Sequence, residues 1–136
     1  MKNLVRVMYT SRAYGHVDEA EIDELLETSR SRNYTKGITG ALSFGNGSFM
    51  QVLEGPETEV IPLYARIIAD PRHRDCVILS INLIRDRLFS NWSMGYVSDF
   101  KKIAQNYNEL LDYRSIREDK EDTLNTMNIL LEILRD

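Results

Sequence analysis

The sequence predicts a single α+β domain with the ferredoxin-like order β-α-β-β-α-β, extended by a fifth strand. Strand-like and helix-like segments alternate between residues 4 and 84, and an Asn-Gly pair separates the two central strands. The chain length of 136 residues is that of one domain. Both helices of this arrangement lie on one side of the sheet, so the other face needs a cover from elsewhere in the chain.

The first strand and the first helix are predicted from residue patterns near the start of the chain. Residues 4–10 form a strand-like run in which side chains alternate between two faces. A helix is predicted over about residues 19–31, because Asp18 and Glu21 have the spacing of a capping box. The positions at helical spacing that follow are Ile22, Leu25, Leu26 and Ser29.

The two central strands form a predicted antiparallel hairpin. The apolar runs 41–44 and 49–53 flank the turn that contains Asn46 and Gly47. Both residue types tolerate a positive φ, which a tight hairpin turn requires.

The second half of the domain is predicted to contain one helix and two strands. The helix starts near Thr58 or is kinked at Pro62, because proline lacks the backbone donor. It ends before Pro71, since a residue that precedes proline disfavours the helical conformation. A fourth strand over residues 76–84 and a short fifth strand over residues 93–98 complete the sheet.

The chain divides into a domain at residues 1–98 and a helical extension at residues 99–136. Residues 117–134 carry an amphipathic helical pattern, formed by Leu124, Met127, Leu131 and Leu134. The C-terminal helices are predicted to pack on the bare sheet face. An oligomer contact or a relay to a partner is compatible with the same pattern.

Composition narrows the function classes. The hydrophobic fraction of 43% and the charged fraction of 28% are typical of a soluble globular protein, and the net charge of -4 argues against a nucleic-acid surface. The sequence lacks an apolar run of about 18–20 residues, so no membrane span is predicted. The single Cys76 lies in an apolar run and is predicted to be a buried structural thiol, as in a cytoplasmic protein.

Two polar side chains occupy core-facing positions on different predicted strands. Tyr9 shares its face with Val5 and Val7, and Gln51 shares its face with its apolar neighbours two residues away. A buried phenol or amide without a partner costs roughly 1–3 kcal/mol. The two positions therefore indicate a polar ligand in a common interior.

Six short motifs follow one another along the chain: YTSR at 9–12, RSRN at 30–33, GITGAL at 37–42, FMQVLEGP at 49–56, DPRHR at 70–74 and WSMG at 92–95. Together they resemble the BLUF family of blue-light sensors, which bind a flavin, usually FAD. The resemblance covers about residues 3–98. It implies a flavin ring between the two helices.

The resemblance also implies a photoactive pair. Tyr9 would donate a hydrogen bond to Gln51 and pass an electron and a proton to the excited flavin. Gln51 would bridge Tyr9 and the N5/O4 edge of the ring, and light would rearrange its amide by rotation or tautomerisation. An amide suits this role because its two ends have opposite hydrogen-bonding polarity and similar shape.

Further candidate flavin contacts come from both helices. By resemblance, Asn33 would hydrogen-bond the polar edge of the ring, although an asparagine near a helix end is also a capping residue. Leu25 is a second candidate contact on the same helix. Arg32 could reach a carbonyl or a phosphate, or face solvent.

The resemblance places the ribityl-phosphate part of the flavin beside the second helix. Arg66 is the preferred phosphate contact, although Arg66 and Asp70 have the spacing of a surface ion pair. Asp70 and His73 are also candidate flavin contacts. His73 alone is compatible with a solvated side chain at a helix end. No cluster in the sequence has metal-ligand spacing.

Trp92 and Met94 are predicted to relay the signal. They are two residues apart, so on a strand they would share a face. The resemblance implies that this pair lies near Gln51. The short fifth strand contributes few hydrogen bonds, and its movement is therefore a candidate route of transmission.

The predicted function is that of a cytoplasmic blue-light photoreceptor that binds FAD and signals to a separate protein, with no substrate turnover. A homo-oligomer is expected, with neither nucleic acid nor membrane as a partner. The sequence shows no nucleophile with an adjacent base. The alternatives are a light-independent flavin enzyme and an interaction module on the same scaffold, because this fold hosts many functions.

Overall fold

The computed structural model describes residues 3–13, 15–45, 47–71 and 73–97. In chain order the elements are β1 (Leu4–Ala13), α1 (Glu19–Lys36), β2 (Thr39–Gly45), β3 (Ser48–Pro56), α2 (Glu57–Ala69), β4 (His73–Ile84) and β5 (Gly95–Val97). The predicted order β-α-β-β-α-β and the additional strand are therefore confirmed. The predicted C-terminal helices of the extension 99–136 lie outside the described residues.

The strands form one sheet in the order β4-β1-β3-β2-β5. Neighbouring strands are antiparallel except β2 and β5, which are parallel. The register pairs Tyr9 with Gln51 and Gln51 with Leu42, and residues opposite each other in a ladder share a face. Tyr9 and Gln51 therefore lie on the same side of the sheet, as the side-chain alternation in the sequence predicted.

Helix α1 begins where the capping pattern predicted and ends later than expected. The Asp18 side chain accepts a hydrogen bond of 2.8 Å from the Glu21 backbone N–H. The helix continues from the predicted end at residue 31 to Lys36. Its last two turns are polar and lack the apolar periodicity on which the prediction depended. Gly37, at a φ of 70°, ends it.

Helix α2 starts at Glu57, one residue before the predicted start, and contains Pro62. It ends at Ala69, and the Asp70 backbone N–H bonds the Ile67 carbonyl. The predicted end before Pro71 is confirmed. Neither of the two described helices is long and apolar enough to cross a bilayer.

The edge strand β4 is longer than predicted and begins at His73 rather than at residue 76. Cys76 on this strand is half-buried rather than buried, because β4 is an edge strand of the described sheet, with β1 as its neighbour. Partial burial, with the Asp75 charge nearby, raises the pKa of the Cys76 thiol. The prediction of a fully buried thiol was wrong.

The described residues form two hydrophobic clusters, one on each face of the sheet. The helix-side cluster joins both helices to the inner residues of the central strands, including Val7, Leu26, Leu53 and Leu63. The opposite-face cluster consists of Met8, Ala41, Met50, Val52, Phe89 and Val97, with Leu79, Leu88 and Trp92 packed against it. The helix-side cluster surrounds the polar pair that the sequence singled out.

Candidate functional site

A cavity of about 360 Å³ lies on the helix-covered side of the sheet. Residues of α1, α2 and the central strands line it. The lining residues are Tyr9, Glu21, Glu24, Leu25, Thr28, Ser29, Arg32, Leu42, Phe49, Gln51, Leu63, Arg66, Ile67, Asp70 and His73. Seven of the sequence-predicted site residues are therefore brought together at one cavity.

Tyr9 lies at the floor of this cavity as a buried, neutral hydrogen-bond donor. Its hydroxyl donates to Gln51 Oε1. The Tyr64 ring meets the Tyr9 ring edge-on, with 5.0 Å between centroids. Burial raises the pKa of the Tyr9 phenol well above its usual range, and the nearby Cys76 and Tyr64 raise this pKa by smaller amounts. The positive charge of Arg32 has a smaller effect in the opposite direction. The phenol is therefore protonated at neutral pH.

Among the residues that the structure describes, the Gln51 side chain has one firm partner and one weak partner. Its Oε1 accepts from Tyr9, which orients the amide so that Nε2 points to Met94 Sδ at 3.5 Å. A thioether sulfur is a weak acceptor. The NH2 end of a buried amide is consequently held less firmly than its oxygen, and Gln51 is placed to exchange partners.

Asn33 holds the chain segment before β5 and does not line the cavity. Its Nδ2 donates to the Ser93 carbonyl at 2.7 Å, and its side chain is fully buried. The cap of α1 is Gly37, four residues later, so the capping alternative for the Asn33 side chain was wrong. The ring contact implied by the resemblance stays a prediction.

Arg30 is a site residue that the sequence reasoning did not single out. Its Nε donates to the Met94 carbonyl at 2.9 Å. Arg30 and Asn33 are three residues apart and so lie on one face of α1. Together they bind the two consecutive carbonyls of Ser93 and Met94. The i, i+3 spacing within the RSRN motif was the available signal.

Trp92 and Met94 do not share a face. Met94 is buried in the helix-side cluster, whereas Trp92 packs against the opposite-face cluster. The prediction assumed an extended strand, but turn and bend residues precede β5, which begins at Gly95. Two-residue alternation does not apply to such a segment. Met94 is therefore the member of the pair that contacts Gln51.

The remaining predicted contacts lie around the cavity, among charges of both signs. Arg32 and Arg66 supply positive charge, and Leu25 contributes to an apolar wall. His73 Nδ1 lies 2.9 Å from Ser11 Oγ. The acidic Glu21 and Glu24 of α1 also line the cavity and were not predicted. In the sequence these residues are ordinary helix-surface positions.

The residues present fit the flavin that the resemblance implies. Apolar walls from Leu42, Phe49, Leu63 and Ile67 flank a floor that carries two uncharged hydrogen-bonding side chains. Apolar walls with a few convergent polar groups are typical of small-molecule sites, which measure about 300–1,000 Å³. Arg32 and Arg66 would be the residues to hold phosphate oxygens.

Comparison with known proteins agrees with this site. Residues 4–95 match the BLUF family, described as sensors of blue-light using FAD. The photoactivated adenylate cyclase subunit beta of Euglena gracilis is 35% identical over 92 residues, which are 67% of this chain and 11% of that protein. The blue light- and temperature-regulated antirepressor BluF of Escherichia coli (strain K12) is 33% identical over 91 residues, which are 67% of this chain and 23% of BluF.

This chain thus spans only about 11% of the length of the cyclase subunits that it matches. Among solved structures, the dark state of the BLUF protein BlrB has a TM-score of 0.81 and 31% identity. That likeness covers 97% of this chain and 98% of BlrB. Family membership confirms two predictions, that of a sensor rather than an enzyme and that of FAD as the cofactor. This chain belongs to the BLUF family of blue-light sensors that use FAD.

Proposed function

We propose that Tyr9 and Gln51 are the photoactive pair of this blue-light sensor, and that the chain signals to a separate partner protein. The hydrogen bond from the Tyr9 hydroxyl to Gln51 Oε1 at the floor of the cavity carries the proposal. The contact from Gln51 Nε2 to Met94 Sδ provides a route by which a change at Gln51 reaches the chain outside the cavity.

FAD, when bound, supplies the absorption of blue light and an excited state that accepts an electron. Tyr9 is the residue that releases an electron and a proton. Its phenol is neutral in the dark, as a tyrosine is at neutral pH, and burial disfavours the anion further; its proton lies on the hydrogen bond to Gln51. The proton therefore has a direct path to the amide oxygen.

Gln51 is the residue whose hydrogen bonds change. Rotation of its amide would exchange Oε1 and Nε2, and tautomerisation would exchange their donor and acceptor roles without rotation. Both routes change the hydrogen-bonding character of the Gln51 end that faces Tyr9 and of the end that faces Met94. The weak thioether contact keeps the barrier to this exchange low, because little hydrogen bonding is lost at that end.

The cofactor contacts proposed for this chain are those that line the cavity, together with Asn33. Leu25 would pack on the ring system, while Arg32, Arg66, Asp70 and His73 would surround its polar chain. Asn33 Nδ2 is engaged by Ser93. A ring contact by Asn33 would therefore involve its Oδ1 or a release of that bond.

Met94 and Trp92 are the proposed relay. Met94 contacts Gln51, whereas Trp92, two residues earlier, packs on the opposite face of the sheet. A shift of this segment would therefore change contacts on both faces. Within the part of the chain that the structure describes, strand β5 pairs with β2 over three residue pairs. We expect Met94→Ala to keep the light-induced colour change and alter the response of the partner. A fully light-dependent response in that variant would contradict the relay.

The partner is proposed to be a separate protein. The support for this proposal is the similarity to the BLUF protein BlrB, which is 31% identical and 98% of which this chain covers. Some longer relatives carry the sensor within proteins named as adenylate cyclase subunits. A homo-oligomer is part of the same proposal.

The experiment that tests the photoactive pair is the absorption spectrum of the FAD-loaded protein before and after a pulse of blue light. We expect a small shift to longer wavelength that reverses in darkness. A flavin spectrum that bleaches without recovery, or does not respond, would contradict the proposal.

A further inference from the structure

A second buried polar group lies on the sheet face opposite the cavity, and the proposed photochemistry does not use it. Glu54 of β3 is fully buried, with 0% exposure. Its Oε2 accepts from Arg6 Nε at 2.8 Å and from the Leu88 backbone N–H at 2.9 Å, and its Oε1 accepts from the Phe89 backbone N–H at 2.7 Å. A carboxylate with this many donors is fixed in place.

These contacts fasten the chain between β4 and β5, residues 85–94, which we call the β4–β5 loop. Leu88 and Phe89 belong to its first half, and the Phe89 side chain is buried in the opposite-face cluster. Arg6 adds a longer contact of 3.4 Å from Nη2 to the Asp86 carbonyl. The side chain of Glu54 thus replaces the missing backbone partners of an irregular segment.

The other end of the β4–β5 loop reaches the photoactive pair. Met94 Sδ accepts from Gln51 Nε2, and the Trp92 carbonyl accepts from the Gly40 backbone N–H at 2.9 Å. Gln51 and Glu54 are three residues apart on β3, and their side chains lie on opposite faces. Strand β3 therefore contacts the β4–β5 loop on both faces of the sheet.

We propose that Glu54 is a positioning residue that, by binding the Leu88 and Phe89 amides, seats Met94 against Gln51 and so sets the rate at which the light-induced state decays. The inference rests on the proposed function, in which Gln51 rearranges. Glu54 acts through the β4–β5 loop and does not line the cavity. A loosened loop no longer holds Met94 packed against Gln51, so the rearranged amide meets less steric restraint and returns sooner.

The test uses the full FAD-loaded chain with the variant Glu54→Gln. In one orientation the NH2 group of the new amide faces the Phe89 N–H, and in the other it faces the Leu88 N–H and Arg6. In either orientation at least one backbone N–H of the β4–β5 loop loses its acceptor. Amide hydrogen exchange of Leu88 and Phe89, measured in darkness, reports this loss. The decay of the shifted flavin absorption after a blue pulse reports the effect on Gln51.

We expect faster exchange in the β4–β5 loop and faster decay by about tenfold, the factor that a barrier change of ~1.4 kcal/mol produces. The matched control is Thr10→Val. The Thr10 hydroxyl is buried on the same sheet face and has no hydrogen-bond partner among the described residues. This control should change neither readout. If Glu54→Gln does not fold because Arg6 is left unpaired, the double variant Arg6→Met with Glu54→Gln removes that charge.

Unchanged exchange, or faster exchange with unchanged decay, would overturn the inference while the unaltered protein still responds to light. An equal change of decay in Thr10→Val would also overturn it, since the effect would then belong to the whole face. If the unaltered protein shows no light response, the proposed function fails, and the inference fails with it.

Discussion

The two faces of the central sheet bury polar side chains in opposite ways. On the helix side, Tyr9 and Gln51 form a neutral pair beside a cavity, and among the described residues the partner of Gln51 Nε2 is a thioether. On the other side, Arg6 and Glu54 form an ion pair whose carboxylate also binds two backbone amides.

The difference separates a part that can move from a part that cannot. A neutral hydrogen bond contributes about 0.5–1.5 kcal/mol net and can be exchanged for another at low cost. Breaking a buried ion pair leaves an uncompensated charge and costs about 3–5 kcal/mol. Gln51 and Glu54 are three residues apart on strand β3, so a stable strand carries the amide that we propose to rearrange.

Removal of the charged anchor should have the largest effect on stability. In Glu54→Ala the Arg6 guanidinium is buried without its carboxylate, and two loop amides lose their acceptor. We expect a loss of about 3–5 kcal/mol in the free energy of unfolding, measured by urea denaturation. The double variant Arg6→Met with Glu54→Leu should recover much of it. A loss below about 1 kcal/mol in Glu54→Ala would show that the pair is not an anchor.

Removal of the neutral amide should abolish the light response with a smaller loss of stability. Gln51→Leu keeps the approximate volume but deletes both polar ends, so Tyr9 loses its acceptor. We expect bound FAD, no reversible red shift after a blue pulse, and a loss of about 1–3 kcal/mol in unfolding free energy. Thr28→Val, a cavity-lining control, should keep the shift. A normal shift in Gln51→Leu would remove Gln51 from the mechanism.

Removal of the phenol hydroxyl should abolish the light response but change the stability little. Tyr9→Phe keeps the ring and its edge-on contact with Tyr64, while Gln51 Oε1 loses one donor. We expect FAD binding, no signalling state, and a stability change of about 1 kcal/mol by urea denaturation. The same absorption measurement checks it. A full light response in this variant would show that another residue supplies the electron and the proton.

The last effect is confined to alkaline solution. A tyrosine in the unfolded chain ionises near a pKa of about 10, whereas burial raises the pKa of Tyr9 in the folded chain far above that value. Above this pH the unfolded state binds fewer protons, so the stability from the neutral phenol falls by up to about 1.4 kcal/mol per pH unit. The difference in unfolding free energy between unaltered protein and Tyr9→Phe, measured from pH 9 to 11, isolates this contribution. A pH-independent difference would contradict the burial argument.

The sequence by itself determined the order of the elements and the face of the sheet on which Tyr9 and Gln51 lie. The Asp18–Glu21 cap, the central hairpin and the strand alternation of Tyr9 and Gln51 depend on neighbours within a few residues, and local rules describe such neighbours well. The motif resemblance depended on the same short segments.

Only the tertiary structure decided the contacts around the β4–β5 loop. Trp92 and Met94 were predicted to share a face, because two-residue alternation holds for a strand. In this irregular segment, distant groups bind the carbonyls instead: Asn33 holds Ser93, which is 60 residues away, and Arg30 holds Met94. The partners of Glu54 likewise come from chain segments 34 to 48 residues away. Such orientations follow from which distant donors reach an unpaired backbone group, and no local pattern records that.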